Sequence, residues 1–399
     1  MNLNSTLNSS DKLGGIQPVP EKSLKVLLDA RKIGDGGIGV YIENTARGLR
    51  QYTDIDPTLL ITTPELLEKL QWLKDFEVIT DRSSSYSLDE YFSLGKRIDF
   101  SPYAVYHAPH YTLPFRVPIP KVVTVHDLIH VTHPERFYYP YLAKTMIKSA
   151  LKRADRVVTV SRASAYELEK LAAKKIDNKL VTIPNVVNPD LKPRKDATDF
   201  VSKRFKLDTP FFLIVASNLK PHKGIKDALK AFSNLKRTCK NFPELKSCLD
   251  IKLILVGFGA EQIAKSNEYL NLIGSQKDVH LLGRVNTQEL IALYGAAQAL
   301  VVASTAEGFC LPAIEAHAMG TPIVCRPVPA VKELLTSVDV CCESFEISAL
   351  EKGMRDILVR IESGGVLTEA ERLINLQQFD IEVVSQRLAK LYHEIARGV

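Results

Sequence analysis

The sequence predicts an α/β protein built from two successive doubly wound parallel sheets, on three observations. Apolar runs of strand length alternate with longer amphipathic stretches of helical period, as in βα units whose strands are buried on both faces. A stretch rich in proline and charge, Pro184 to Pro210, interrupts the alternation, which then begins afresh. The chain of 399 residues is too long for one ordinary domain and fits two of roughly 180 to 200 residues, each able to bury its own core.

Residues 1–22 are rich in Ser, Asn, Gly and Pro, lack periodicity and are expected to be disordered. In the first domain, 23–205, Leu24 to Ala30 reads as a buried strand and Ile38 to Tyr52 as the helix after it, with Gly34-Asp35-Gly36-Gly37-Ile38-Gly39 between. These glycines have the spacing of a dinucleotide fingerprint. However, Arg31-Lys32-Ile33 separate the strand from the first glycine, and Asp54 precedes the next strand, Thr58 to Thr62, instead of ending it. Gly36 and Gly37 are therefore read as a loop that can approach a ligand's phosphate closely. Strands are expected at Ala104 to His107, Val122 to Val125, Arg156 to Val160 and Leu180 to Ile183, and helices at Pro140 to Lys152 and Arg162 to Ala173.

After the expected linker, the second domain, 206–378, repeats the order. Strands are expected at Phe211 to Ala216, Lys252 to Gly257, His280 to Leu282, Ala299 to Ala303 and Pro322 to Cys325. Helices are expected at Gly224 to Lys236, Ala260 to Leu272 and Thr287 to Ala296, with a short one opened by Pro312 and closed by Gly320. From Ile347 the chain reads as mainly helical; Phe379-Asp380 marks a break before an amphipathic last helix, Ile381 to Ala396, in residues 379–399.

The 45% hydrophobic and 25% charged content is that of a globular protein. A net charge of +6 permits attraction to phosphates or to an anionic membrane face but does not describe a nucleic-acid binder. No apolar run has the length of a membrane span and residues 1–22 lack the core of a signal peptide, so the cytoplasm is the expected location. All six cysteines lie in the second half without zinc-type spacing, and free thiols are expected.

The densest chemistry follows the run Ala299 to Ala303. Glu307 lies in the turn and Glu315 one turn into the helix, so both can face the crevice beyond the strand end. Between them the amides of Phe309, Cys310 and Leu311 precede the helix, where free N–H groups and the positive dipole end favour a phosphate. A carboxylate repels phosphate but accepts hydrogen bonds from neighbouring hydroxyls. Phosphate-seeking amides flanked by two carboxylates suggest a ligand with a diphosphate in the middle and polyols at both ends, as in a nucleotide sugar.

Glu307-Gly-Phe-Cys-Leu-Pro-Ala-Ile-Glu315-Ala resembles the Glu-x7-Glu signature of family 4 of the retaining glycosyltransferases, and similarity extends over most of the chain. The resemblance implies two facing Rossmann-like domains, the glycosyltransferase-B architecture, with the last helix returning to the first domain. It also implies catalysis without a bound metal or other cofactor, and a histidine of a His-Asp pair beside the donor sugar. His126-Asp127 ends the strand Val122 to Val125, the position from which α/β sheets carry chemistry, and His126 could donate to a sugar hydroxyl or to developing charge. The alternative is a satisfied strand-end histidine with Asp127 capping a helix. His107, His110, His126, His130 and His133 fall close together but are not presented as a metal tetrahedron.

Ala216-Ser-Asn218-Leu-Lys220-Pro-His-Lys223-Gly224 offers lysines where a diphosphate would need neutralising. Lys223 matches the family's lysine, whereas Asn218 stands near the place of its arginine, with Lys220 the nearest substitute. Leu282-Gly283-Arg284-Val285 resembles the base-contacting turn, which implies that Arg284 and Val285 border the nucleobase; Arg284 could equally be a surface charge. Cys310 occupies a position where glycine is commoner. Phe137-Tyr138-Tyr139-Pro140-Tyr141 with Lys144, Lys148, Lys152 and Arg153 could touch an anionic membrane or a lipid-linked acceptor, or be an ordinary solvated helix face.

The expectation is a metal-independent retaining hexosyltransferase in exopolysaccharide or glycan assembly, at the inner membrane face if it contacts membrane at all. It would use a nucleoside diphosphate donor, UDP-glucose ahead of GDP-mannose, and a sugar or lipid-linked sugar acceptor. The assigned residues are His126, Lys223 and Glu307 for catalysis, with Gly36, Gly37, Asn218, Lys220, Arg284, Val285, Phe309, Cys310, Leu311 and Glu315 for binding. The rivals are an epimerase or hydrolase of the same architecture, a noncatalytic sugar-nucleotide sensor or scaffold, and a nicotinamide dehydrogenase.

Overall fold

A computed structural model describes residues 23–398 apart from 174–175, 177, 240–245, 265 and 275; the expectation for residues 1–22 lies outside the described residues. The first sheet is built from β1 (Leu24–Asp29), β2 (Ile55–Ile61), β3 (Val78–Thr80), β4 (Val105–Ala108), β5 (Lys121–Val125), β6 (Arg156–Thr159) and β7 (Leu180–Thr182), in the order β3-β2-β1-β4-β5-β6-β7. The second is built from β8 (Phe211–Val215), β9 (Lys252–Val256), β10 (Val279–Gly283), β11 (Ala299–Val302), β12 (Ile323–Cys325) and β13 (Val340–Cys341), in the order β10-β9-β8-β11-β12-β13. The strand pairs are parallel in both sheets. Such strands need two covered faces, and the fully buried runs Val26 to Asp29, Val122 to Val125 and Phe211 to Ile214 are the sequence's answer to that need. Strand order reverses between β1 and β4 and between β8 and β11, and at each switch the diverging loops leave a crevice at the strands' carboxyl ends.

Local expectations fail where polar residues hide a strand or prolines hide a helix. β2 starts at Ile55, not Thr58, because the register with β1 begins at Leu24↔Ile55 despite the flanking Asp54, Asp56 and Pro57. The expected linker contains the helix Ala197–Phe205, which buries Ala197 and Val201 against the helix Thr287–Ala296 and pairs Arg204 with Glu289 at 2.6 Å. The expected helix Ala260 to Leu272 is two, Ala260–Ala264 and Asn267–Gly274. β13 has two residues, too few for any period to show. Cys239 and Cys248, with Cα atoms 5.8 Å apart, form a disulfide, which corrects the expectation of free thiols at those two positions; Cys310, Cys325, Cys341 and Cys342 are free.

Asp380 caps the last helix, Ile381–Ala396, by accepting from Glu382 N at 2.8 Å. Val384, Leu388, Leu391, Tyr392 and Ile395 bury one face of it against the first sheet. The approach to the helix Gly36–Tyr52 is so close that a Cβ on Gly48 would sit 2.0 Å from Ser385 Oγ. Tyr392 and His107 are bonded at 2.6 Å between hydroxyl and Nδ1, and His393 meets Asp54 at 2.9 Å. Among the described residues no helix is long and apolar enough to cross a membrane.

Candidate active site

Glu307 and Lys223 come together because two strand-end loops of the second sheet touch. The turn Pro221–Lys223 closes at Gly224 with φ +64°, and a Cβ there would lie 2.1 Å from Ala303 O, so only glycine lets this turn lie against the end of β11. Lys223 Nζ then sits 2.8 and 3.1 Å from the two oxygens of Glu307, whose Oε1 also accepts from Ser304 Oγ at 2.6 Å. Burial pulls the Lys223 ammonium toward neutrality, but the Glu307 carboxylate more than offsets it and the net shift is upward. Lys223, Ser304, Glu307 and Cys310 line a cavity of about 30 Å³.

Lys220 is also paired, through Nζ to Glu135 Oε1 at 2.7 Å, a carboxylate from the other half of the chain. Asn218 builds the turn itself: its Oδ1 accepts from Lys220 N at 3.2 Å and its Nδ2 donates to Ser217 Oγ at 3.2 Å.

Cys310 is buried and holds φ +84°, ψ +71°, a left-handed backbone that costs a non-glycine residue of order 1–3 kcal/mol. That geometry is why glycine would be at ease here. No side chain caps the helix Leu311–Ala318, so the positive field of its first turn, next to Phe309 and Leu311, stays available. Burial pushes the Cys310 thiol well above its usual range, which keeps it neutral and unreactive. Glu315 is half-buried, its carboxyl raised by burial, and accepts from Tyr294 OH at 2.8 Å, an interaction that fixes one oxygen and leaves the other. Arg284 is exposed and Val285 half-buried at the end of β10.

From the first sheet, His126 at the end of β5 faces the Glu307 loop. A Cβ on Gly308 would lie 2.2 Å from His126 O, and Ser164 Oγ donates to His126 O at 2.9 Å and to Gly308 O at 3.3 Å. His126 Nε2 is 2.9 Å from Pro109 O; a carbonyl only accepts, so Nε2 carries the proton. Burial keeps the ring below the ordinary histidine pKa and therefore neutral, leaving Nδ1 as an acceptor. Gly36 and Gly37 lie across the same crevice, positions where a Cβ would be 3.8 Å from Ser217 Oγ and 3.9 Å from Leu311 Cδ1.

Other sequence candidates are structural. His107 is buried in β4 and bonded to Tyr392 and to Thr124 Oγ1. Asp54 and Asp56 lie at the amino end of β2, away from the carboxyl ends where the crevice forms. Asp29, Glu90 and His110 have the proximity of a metal cluster, but the Arg31 guanidinium lies 2.6 Å from Asp29 and 2.7 Å from Glu90. Sequence reasoning missed Ser164, Tyr294, Glu135 and Glu333, whose carboxylate accepts from Arg162 N at 2.9 Å and Ala163 N at 2.6 Å at the start of the helix Arg162–Leu171. Ser161 and Ser164 have the spacing of a helix cap and gave that signal alone. The bonds of Ser164 and Glu333 across the crevice join residues more than a hundred positions apart, beyond any local pattern.

Two parallel-sheet domains with a crevice at the strands' carboxyl ends are the glycosyltransferase-B architecture, and comparison with known proteins supplies the class. Residues 196–364 match the family model "Glycosyl transferases group 1" and residues 35–191 match "Glycosyltransferase Family 4". The chain belongs to the family 4 glycosyltransferases. It is 26% identical over 300 residues to the O-antigen chain mannosyltransferase B of Escherichia coli, covering 74% of this chain and 75% of that one. It is 26% identical over 329 residues to the O-antigen chain mannosyltransferase RfbU of Salmonella typhimurium, covering 78% and 85%. Among solved structures it resembles a glycosyltransferase from Rickettsia africae, with a TM-score of 0.73 and 18% identity over 94% of this chain and all of that one. Anabaena HepE in complex with UDP and glucose gives a TM-score of 0.70 at 18% identity over 93% of this chain and all of that one.

Proposed function

We propose that this glycosyltransferase is a retaining hexosyltransferase that extends a glycan from a nucleoside diphosphate sugar, with no metal ion in the step. The observation that carries the reading is the Lys223–Glu307 pair, largely buried but open to the crevice and brought against His126 by Gly308. A diphosphate would take over the ammonium and free Glu307 to accept from donor-sugar hydroxyls. Glu315 would hold the ribose, Arg284 and Val285 would border the base, and His126 Nδ1 would accept from a sugar hydroxyl.

As the C1–O bond breaks, its electron pair stays on the diphosphate. Lys223, Lys220, the Gly36–Gly37 loop and the amides of Phe309, Cys310 and Leu311 would stabilise that charge. Glu307, bonded to Ser304 and occupied by donor-sugar hydroxyls once Lys223 has turned to the diphosphate, would not be presented as a nucleophile. We therefore assign attack by the acceptor oxygen on the face the diphosphate leaves, with the acceptor's proton passing to the departing phosphate oxygen.

The mannosyltransferase relatives favour mannose over the glucose preferred from the sequence. They also favour a polysaccharide acceptor. Tyr141 and Leu142 are exposed beside Lys144 and Lys148, which supports peripheral contact with an anionic membrane at the cytoplasmic face and a lipid-linked acceptor.

The test is a thermal-shift panel of GDP, UDP, GDP-mannose and UDP-glucose, followed by NMR of the product anomer with and without a chelator. Stabilisation by GDP-mannose, a product of retained configuration and turnover that survives chelation are expected. An inverted product, or activity lost to chelator and restored by magnesium or manganese, overturns the mechanism.

A further inference from the structure

Beside His126 the first domain carries a file of aromatic rings that the reading above leaves without a task. Asp127 Oδ1 accepts from Ile129 N at 2.9 Å and so fixes the short turn that carries His130. The Tyr86 ring lies 5.5 Å from Tyr111 and 6.5 Å from His130, and Tyr111 OH is 2.8 Å from His130 Nδ1. His130 packs edge-on to Tyr139 at 6.1 Å, Tyr139 to Tyr138 at 5.0 Å and Tyr138 to Phe137 at 5.5 Å. The file runs without a break from the crevice to Phe137, which is 86% exposed.

Tyr86 is held at the inner end by construction. Its φ is +64°, unusual for a bulky residue, and strain of this kind persists only where the surroundings enforce it. Here the Tyr86 amide donates to Glu90, Arg31 fixes Glu90 from behind, and Lys32 Nζ lies 3.7 Å from the ring centre. The residue nonetheless stays partly open, at 36% exposure. A buried ion network thus maintains a strained, partly open tyrosine at the inner end of the file, against Tyr111 and His130.

Half-open tyrosine and histidine rings offer flat apolar faces with polar atoms at their rims. A pyranose has the matching surface, an apolar C–H face bordered by hydroxyls. A lipid chain offers no hydroxyls to the rim atoms these rings leave open, such as His130 Nε2 beyond the Tyr111–His130 bond. On the reading that this chain extends a glycan, we propose that Tyr86, Tyr111, His130 and Tyr139 hold the terminal sugars of the acceptor, and that Tyr138 and Phe137 carry the next sugars outward. The ligand class is a neutral oligosaccharide of several pyranoses, its free end beside His126.

The test uses the full chain loaded with whichever nucleoside diphosphate stabilises it, and manno-, gluco- and galacto-oligosaccharides of increasing length as probes in saturation-transfer NMR and calorimetry. Affinity should rise with length for at least one series. Phe137→Ala with Tyr138→Ala should lower affinity for the longest member about tenfold and leave the monosaccharide unchanged, since stacked contacts of this size are individually modest. Tyr111→Ala should weaken every length, with nucleotide affinity intact in all variants as the control for folding. Nucleotide bound without any oligosaccharide, or equal affinity of wild type and double variant for the longest probe, overturns the track. If the double variant instead keeps its oligosaccharide affinity and loses binding to anionic phospholipid vesicles, the outer rings are a membrane face and the proposal fails. Absence of nucleotide binding by wild type brings down the transferase reading itself, and the track with it.

Discussion

The first strand of each sheet is followed by a cation bound to carboxylate, and the two pairs differ in a way that separates structure from function. After β1, Arg31 donates to both oxygens of Asp29 at 2.8 and 2.6 Å, to Glu90 at 2.7 Å and to Ser83 at 2.7 Å, and the side chains of Arg31, Asp29 and Glu90 are wholly buried. After β8, Lys223 has Glu307 as its carboxylate, and their side chains keep 23% and 11% of their surface. A planar fork with its donors filled in a dry site has nothing left for a ligand. An ammonium at a crevice can exchange a carboxylate for a phosphate with little further desolvation.

The largest effect should come from breaking the closed cluster. Arg31→Met would leave Asp29 and Glu90 buried without their cation, and removing one partner of a buried pair costs about 3–5 kcal/mol. Arg31 is also what holds the Asp29 carboxyl down at about 2 against the opposing pull of burial. Denaturant unfolding of the variant checks this; a midpoint within error of wild type would show that the cluster is hydrated and not closed.

Lys223→Ala should reverse the balance of effects. Turnover should fall roughly a hundredfold, as for one lost electrostatic contact to a leaving group, with a smaller loss of stability than for Arg31→Met because both Lys223 and Glu307 keep some contact with solvent. Steady-state kinetics beside a thermal melt separate the two. Preserved turnover would move the charge stabilisation to Lys220 or Arg284.

Buried and open histidines sharpen the same contrast through pH. Burial pushes His107 and His110 down to about 3, whereas an unfolded chain returns them to 6.5. Between those values the unfolded state binds more protons, so stability is full above pH 6.5 and declines as pH falls toward 3. His107→Gln should start from a lower stability and flatten that decline by up to about 1.4 kcal/mol per pH unit. Urea unfolding at several pH values would show it, and parallel curves for wild type and variant would mean that His107 is protonated in the folded protein.

The alternation of apolar runs and helical periods made both sheets legible, and Glu307, Glu315, His126 and Lys223 stood out because each follows or lies just beyond a strand end. What stayed hidden has a physical cause in each case. β2 was truncated because buried pairing tolerates Asp56 and Pro57, and the helix Ala197–Phe205 was lost among prolines and charges because only Ala197 and Val201 of it are fully buried, with Phe200 and Phe205 partly so. The state of the site could not be read at all. Whether Lys220 and Lys223 are free, which nitrogen of His126 carries the proton and what Asn218 bonds to depend on Glu135, Glu307, Pro109 and Ser217 as neighbours in space.

The smallest expected effect lies where the two regions meet. Ser164 is buried in the first domain, yet its hydroxyl spans His126 O and Gly308 O, the backbone on either side of the crevice. Since a hydroxyl has one proton, the 2.9 Å bond to His126 O is the stronger and the 3.3 Å contact with Gly308 O the weaker share of a three-centre bond. Ser164→Ala removes both while leaving the helix cap, which Ser161 supplies through its own oxygen. Both carbonyls then lose a neutral donor, worth about 0.5–1.5 kcal/mol in total. If Ser164 aligns Glu307 with His126, part of that loss should appear in the transition state: turnover falling severalfold, nucleoside diphosphate affinity unchanged, and Ser164→Thr recovering most of the rate. A purely structural hydroxyl would instead lower the melting temperature by a few degrees and leave kcat untouched. That outcome would remove Ser164 from the catalytic arrangement and leave Gly308, by its close approach to His126, as the contact that registers the two domains.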